Sequence, residues 1–133
     1  MDWENLARTF ERVTDARREP GDEKFEDIFA PGGTYEDPVN PPASTFSEIH
    51  QQTESATPDW HCEIISVFGG DRFGAMEWIG RAKLFGVAPF EMPGCAVVEV
   101  DADGKVLRWR DYFDISCIER QTAGAFASEP PPT

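Results

Sequence analysis

From Trp3 onward the apolar positions Trp3, Leu6, Ala7, Phe10 and Val13 recur at steps of three and four, so the spacing predicts a helix with one face in a core. Asp2 stands where it can cap that helix. Arg17-Arg18-Glu19-Pro20-Gly21 ends it, and Asp22 is placed to cap a short second helix that carries Phe25, Ile28 and Phe29 inward until Pro31-Gly32-Gly33 stops it. Residues 34–37 read as a short strand, because Pro38 biases the residue before it toward extended geometry. After the Pro41-Pro42 loop, Thr45 and Glu48 make a capping box for a third helix that contains Phe46 and Ile49 and ends near Pro58.

Beyond Pro58 the period changes from helical to two. Residues 60–68, 72–84, 94–100 and 106–113 read as four strands, separated by Gly69-Gly70-Asp71, a Gly/Pro-rich stretch and Asp101-Ala102-Asp103-Gly104. The order is that of an α+β fold: an antiparallel or mixed sheet that must bury one face, with three N-terminal helices available to cover it. Residues 1–120 form a single domain in this reading. From Gln121 to the Pro130-Pro131-Pro132 end no period survives, and residues 121–133 are expected to be a flexible tail.

Composition narrows the function. A chain of 133 residues can bury a core without disulfides, and 12 % aromatic residues are enough to line a cavity as well. A net charge of −13, from 25 acids against 12 bases, repels phosphate backbones and anionic lipid, so neither nucleic acid nor membrane is an expected partner. No apolar run approaches the roughly 20 residues of a spanning helix, and Met1-Asp2-Trp3-Glu4 lacks the basic and apolar regions of a signal peptide; the expectation is a cytoplasmic protein. Cys62, Cys95 and Cys117 have no paired spacing, and His50 and His61 form no ligand pattern. The cysteines read as small buried apolar residues, and neither a metal nor a cofactor is expected.

Candidate chemistry concentrates in the last strand. Alternation puts Leu107, Trp109, Asp111 and Phe113 on one face and Arg108, Arg110, Tyr112 and Asp114 on the other, so an aspartate interrupts the apolar face. Burying a lone carboxylate costs several kcal/mol, roughly, unless it is paired, hydrogen-bonded or protonated. Asp111 is therefore a functional acid or base, half of a buried ion pair, or a strand-end group that reaches water. In the early strand Tyr35 and Asp37 point the same way, a hydroxyl and a carboxylate facing one space, unless Glu36-Asp37-Pro38 is an ordinary acidic turn. His61 and Glu63 also share a face, but Cys62, Ile64 and Phe68 make the opposite face the greasier one.

This order of elements resembles the nuclear-transport-factor-two-like superfamily, also called SnoaL-like, whose members wrap a curved sheet with helices into a cone around a pocket. Within it the motifs are most similar to those of the limonene-1,2-epoxide hydrolase family. Tyr35-Glu36-Asp37 with Pro41-Pro42-Ala43 resembles its Tyr-x-Asn strand and Pro-Pro-Ala loop, and Gly104-Lys105-Val106 with Trp109-Arg110-Asp111-Tyr112-Phe113-Asp114 resembles its Gly-Lys-Ile and Trp-Arg-Asp-Tyr-Phe-Asp segment. The resemblance implies Asp111 as the base that takes a proton from water, and Tyr35 and Asp37 as the residues that hold that water. Where the family carries an Arg-x-Asp pair to protonate the epoxide oxygen, this chain has Trp78-Ile79-Gly80. Glu36-Asp37-Pro38 also resembles the Glu-Asp-Pro of ketosteroid isomerases, and SnoaL-type polyketide cyclases place a catalytic Asp near the position of Asp111.

These readings together imply an acid/base enzyme opening an epoxide, by water or an internal hydroxyl, in a hydrophobic isoprenoid- or polyketide-like substrate. Asp111, Asp37 and Tyr35 are its catalytic candidates, and Trp78, Trp109, Phe113 and Met76 its apolar walls. The alternatives are an isomerase or polyketide cyclase using the same aspartates, and a non-catalytic binding or dimerisation module. The resemblance also implies a homodimer.

Overall fold

The computed structural model describes residues 1–19, 21–39 and 56–126. Helix α1, Trp3–Val13, forms where the periodicity places it, and Asp2 accepts a hydrogen bond from the Asn5 N–H at 2.9 Å. Its buried face is Trp3, Leu6, Ala7, Thr9, Phe10 and Val13. Trp3 anchors the near end of the sheet: its indole N–H donates to the Gly70 carbonyl at 2.6 Å, and a Cβ at Gly69 or Gly74 would overlap the ring.

The second helix differs from expectation. Only a 3-10 turn, Phe25–Ile28, forms, and strand β1 begins at once and runs Phe29–Glu36. Pro31-Gly32-Gly33 is thus not a helix stop but an irregularity inside the strand, between the pairings Phe29 with Val106 and Thr34 with Arg108. Gly32 adopts φ +78°, and a Cβ on Gly33 would stand 2.7 Å from the Val106 carbonyl oxygen, so these two positions need glycine. The third helix expected around residues 45–58 lies almost wholly outside the described residues.

Strands β2 (His61–Gly69), β3 (Phe73–Leu84), β4 (Ala88–Val100) and β5 (Val106–Phe113) follow as an antiparallel meander. β1 joins β5 in parallel, and the order β1-β5-β4-β3-β2 leaves an open mixed sheet with β1 and β2 at its edges. The fold is α+β as expected, with two α-helices among the described residues. β4 is longer than its Gly/Pro content suggests. Residues 88–93 extend past the end of β5 and pair only with β3, so Pro89 and Pro93 are accommodated where no strand lies on the other side.

That free edge is covered by helix α2, Ser116–Thr122. The Gln121 amide stands in for a neighbouring strand: its Oε1 accepts from the Glu91 N–H at 2.8 Å and its Nε2 donates to the Glu91 carbonyl at 2.7 Å. Gln121 and Thr122, which the sequence reading assigns to a loose tail, belong to this helix; Thr122 is buried, and the Phe126 ring meets Phe85 edge-on at 5.9 Å.

One face of the sheet buries the core, which joins α1 to Cys62, Ile64, Met76, Trp78, Ala96, Val98, Val106 and Trp109. In β2 a bulge at Ile65 reverses the alternation, so Val67 packs on the core and Phe68, read as inward, is 62 % exposed. No helix among the described residues is long and apolar enough to cross a membrane.

Candidate active site

A cavity of about 780 Å³ opens between the inner face of the sheet, β1 and α2. The parallel register that pairs Tyr35 with Trp109 and Glu36 with Arg110 brings the next residue, Asp37, alongside Asp111. Asp111 itself faces Ala96 across β4, a partner small enough to leave space above it. From β3, Trp78 reaches across β4 to Asp111 because its partner there is Gly94, where a Cβ would overlap the indole. Sequence alternation and these two small residues therefore converge on one carboxylate.

Asp111 is 7 % exposed and accepts three hydrogen bonds. Its Oδ1 takes the indole N–H of Trp109 at 3.0 Å and of Trp78 at 3.2 Å; its Oδ2 takes the Tyr35 hydroxyl at 2.8 Å. All three donors are neutral. Burial raises the carboxyl pKa from its ordinary 3.8 to about 6, against the opposing pull of the three donors and with a further push from the charge of Asp37. Asp111 is thus neither half of an ion pair nor a solvated strand end. An oxygen of an ionised carboxylate has about two acceptor sites; among the described residues Oδ1 has two donors and Oδ2 one.

The Tyr35 hydroxyl interacts with both carboxylates, and its pKa lies well above 10 through burial first, then the charges of Asp111 and Asp37. Its ring is held edge-on by Phe25 at 5.6 Å. Asp37 is half-buried in the cavity wall and also accepts the Val39 N–H at 2.8 Å, so it both closes an acidic turn and faces the cavity with Tyr35. Cys62 lines the cavity as well. Burial and the neighbouring Asp111 charge push its thiol far up, which keeps it protonated and unreactive as a nucleophile.

Of the expected apolar walls, Trp78 and Phe113 line the cavity and Trp109 and Met76 do not. Trp109 is fully buried behind Asp111, stacked on Phe10 at 4.6 Å, and acts on the cavity only through its hydrogen bond. Met76 is fully buried one inward position nearer the end that Trp3 closes. Walls missed in the sequence are Trp60, whose ring fills the space a side chain at Gly80 would need, and Phe90 and Met92 on β4. Period two runs through Ala88, Phe90 and Met92, but Pro89 and Pro93 mask it. His61 and Glu63 stay outside: His61 contacts the Asp59 carbonyl at 3.1 Å, and Glu63 meets Arg81 on the exposed face at 3.3 Å. Among the described residues no group of three His, Cys, Asp or Glu is placed to hold a metal ion.

An open mixed sheet with an apolar cavity on its inner face and a buried carboxylate in the cavity wall defines a small-molecule pocket on an α+β fold. The chain belongs to the SnoaL-like domain family, whose model matches residues 7–109. No curated protein matches it. Among solved structures it is similar to an LEH-like epoxide hydrolase from M. tuberculosis (18 % identity, TM-score 0.63, 96 % of each chain covered). It is also similar to a protein from Jannaschia sp. CCS1 provisionally assigned as a SnoaL-like polyketide cyclase (15 %, TM-score 0.69, 96 % of this chain and 92 % of that one). A third is a phenazine biosynthesis-related protein from Pseudomonas aeruginosa (19 %, TM-score 0.66, 97 % and 92 %). At these identities the likeness is one of fold.

Proposed function

We propose that the protein is a cofactor-independent acid/base enzyme that opens an epoxide in an apolar, isoprenoid- or polyketide-like substrate, with water or an internal hydroxyl as the nucleophile. The observation that carries this reading is the second acceptor site of Asp111 Oδ2, which no described residue fills, beside Tyr35 and Asp37 in the wall of an apolar cavity. An O–H seated there gives its proton to Oδ2 as its oxygen bonds to the epoxide carbon. The carbon–oxygen bond of the ring breaks, and the proton that Asp111 received passes to the ring oxygen, which leaves Asp111 ionised again. Tyr35 and Asp37, beside it in the cavity wall, hold the attacking O–H in line.

A pKa of about 6 suits a base at neutral pH: ionised there, yet stronger than an exposed carboxylate. Proton abstraction beside a carbonyl would need a donor for the oxyanion, whereas Tyr35, Trp78 and Trp109 all direct theirs to Asp111. The test is a panel of terpene, styrene and long-chain alkyl epoxides in oxygen-18 water. One labelled oxygen in a diol, or a cyclic ether from a hydroxy-epoxide, is expected. Asp111→Asn should lower turnover at least ~10²-fold, and Asp37→Asn should lower it less, because Asp37 orients the O–H rather than taking its proton. Full activity in both variants refutes the assignment, and solvent deuterium at carbon beside a carbonyl in a ketone substrate would indicate an isomerase instead.

A further inference from the structure

We infer that this cavity selects organic cations: its preferred occupants carry a protonated alkylamine on an apolar frame, with the ammonium against Asp111 and the alkyl groups on Trp78 and Phe113. The described lining contains Asp37, Asp111 and Glu119 and no Lys, Arg or His. A buried carboxylate is usually neutralised by a basic partner, yet every donor to Asp111 is neutral. Arg81 is held in surface pairs with Glu63 and Glu91 and Arg108 with Glu36, and Arg110 takes the outward position in β5 between Trp109 and Asp111. Among the described residues, then, the cationic place beside Asp111 is left for whatever enters the cavity.

The walls favour the same charge. Trp78 meets Trp60 at 6.1 Å and 75° and Phe113 at 5.8 Å and 61°, so the rings stand at steep angles around the space and an entering group meets ring faces as well as edges. Aromatic faces attract ammonium groups, most strongly where water is excluded. The desolvation of Asp111 has already been borne by folding, so a bound ammonium has only its own to offset. A carboxylate ligand finds the reverse: three acids and no cation among the described lining residues. The inference goes beyond the catalytic reading and does not depend on turnover, although it shares the cavity; an amine there would occupy the base and inhibit.

The experiment is calorimetric titration of the whole protein at pH 8 with three ligands matched in frame: N,N-dimethyl(cyclohexylmethyl)amine, N,N-dimethylcyclohexanecarboxamide and cyclohexanecarboxylate. The amine should bind at least about tenfold tighter than the amide, the ratio that ~1.4 kcal/mol produces, and the carboxylate should not bind measurably. Asp111→Asn should erase the preference for amine over amide while leaving amide binding in place. Should that variant not fold, Asp37→Asn, at the half-buried position, should lower the preference in the same direction. An amide or carboxylate that binds as tightly as the amine overturns the inference, as does a preference that survives both substitutions. Amine preference without epoxide turnover would remove the catalytic reading and leave this one standing.

Discussion

Asp111→Asn should make the protein more stable at neutral pH than at acid pH relative to the wild type. The folded protein holds the Asp111 carboxyl at about 6, whereas the unfolded chain holds it near its ordinary 3.8. A raised pKa means that the folded state binds the proton more tightly, so the wild type loses stability as pH rises from about 4 through 6. Converted at ~1.4 kcal/mol per tenfold, the loss is about 3 kcal/mol, complete by pH 8. Asparagine resembles the protonated acid and removes that loss. Its oxygen can accept the two indole N–H groups, and its amide can donate to the Tyr35 oxygen, whose own proton can turn to Asp37. Urea denaturation of both proteins at pH 4 and pH 8 isolates the effect, because other titrating groups cancel between them. The variant should gain about 2 kcal/mol on the wild type between the two pH values, because the unfolded carboxyl is already partly ionised at pH 4; that is roughly 8 °C in melting temperature for a domain of this size. An unchanged difference at the two pH values would refute the argument that burial dominates at this carboxyl.

Other consequences are local. Gly80→Ala places a methyl where the Trp60 ring lies, so it should cost roughly 1–3 kcal/mol in denaturant and change Trp fluorescence as the cavity wall shifts; unaltered stability and emission would contradict the packing. Gln121→Ala removes both hydrogen bonds to the exposed edge at Glu91 and should cost about 1 kcal/mol, whereas a neutral result would mean that water replaces the amide fully. Ile79, Val97 and Tyr112 face outward on the sheet, and we propose that this face pairs two copies; light scattering at micromolar concentration should give twice 14.9 kDa, and a monomer mass would count against it.

The strongest periodic signals translated directly into structure. The stripe Trp3, Leu6, Phe10 and Val13 became α1, and the alternation in β5 put Trp109, Asp111 and Phe113 on the inner face. Errors arose where one residue type serves two physical roles. Pro31-Gly32-Gly33 breaks helices, and it equally permits the irregular turn within β1. Pro89 and Pro93 demote a strand in the middle of a sheet but not past the end of β5. The bulge at Ile65 shifts the phase of β2, which alternation alone cannot register. Trp109 and Met76 show a further limit: inward facing is readable from the pattern, but whether an inward residue meets a cavity or solid core depends on what α1 fills. Trp78 at a position where the resemblance would place an arginine is the most informative departure, because its indole supplies a neutral donor to Asp111 in place of a cation.

Everything proposed for the cavity rests on Asp111 being a buried carboxylate held by neutral donors and coupled to Asp37. Carbon-13 NMR titration of the aspartate carboxyl groups, with Asp111→Asn to assign the signal, measures it without any substrate. Asp111 should titrate at about 6 in the wild type and move downward in Asp37→Asn as the neighbouring charge is removed. A value near the ordinary 3.8, or one that Asp37→Asn leaves unmoved, would contradict it.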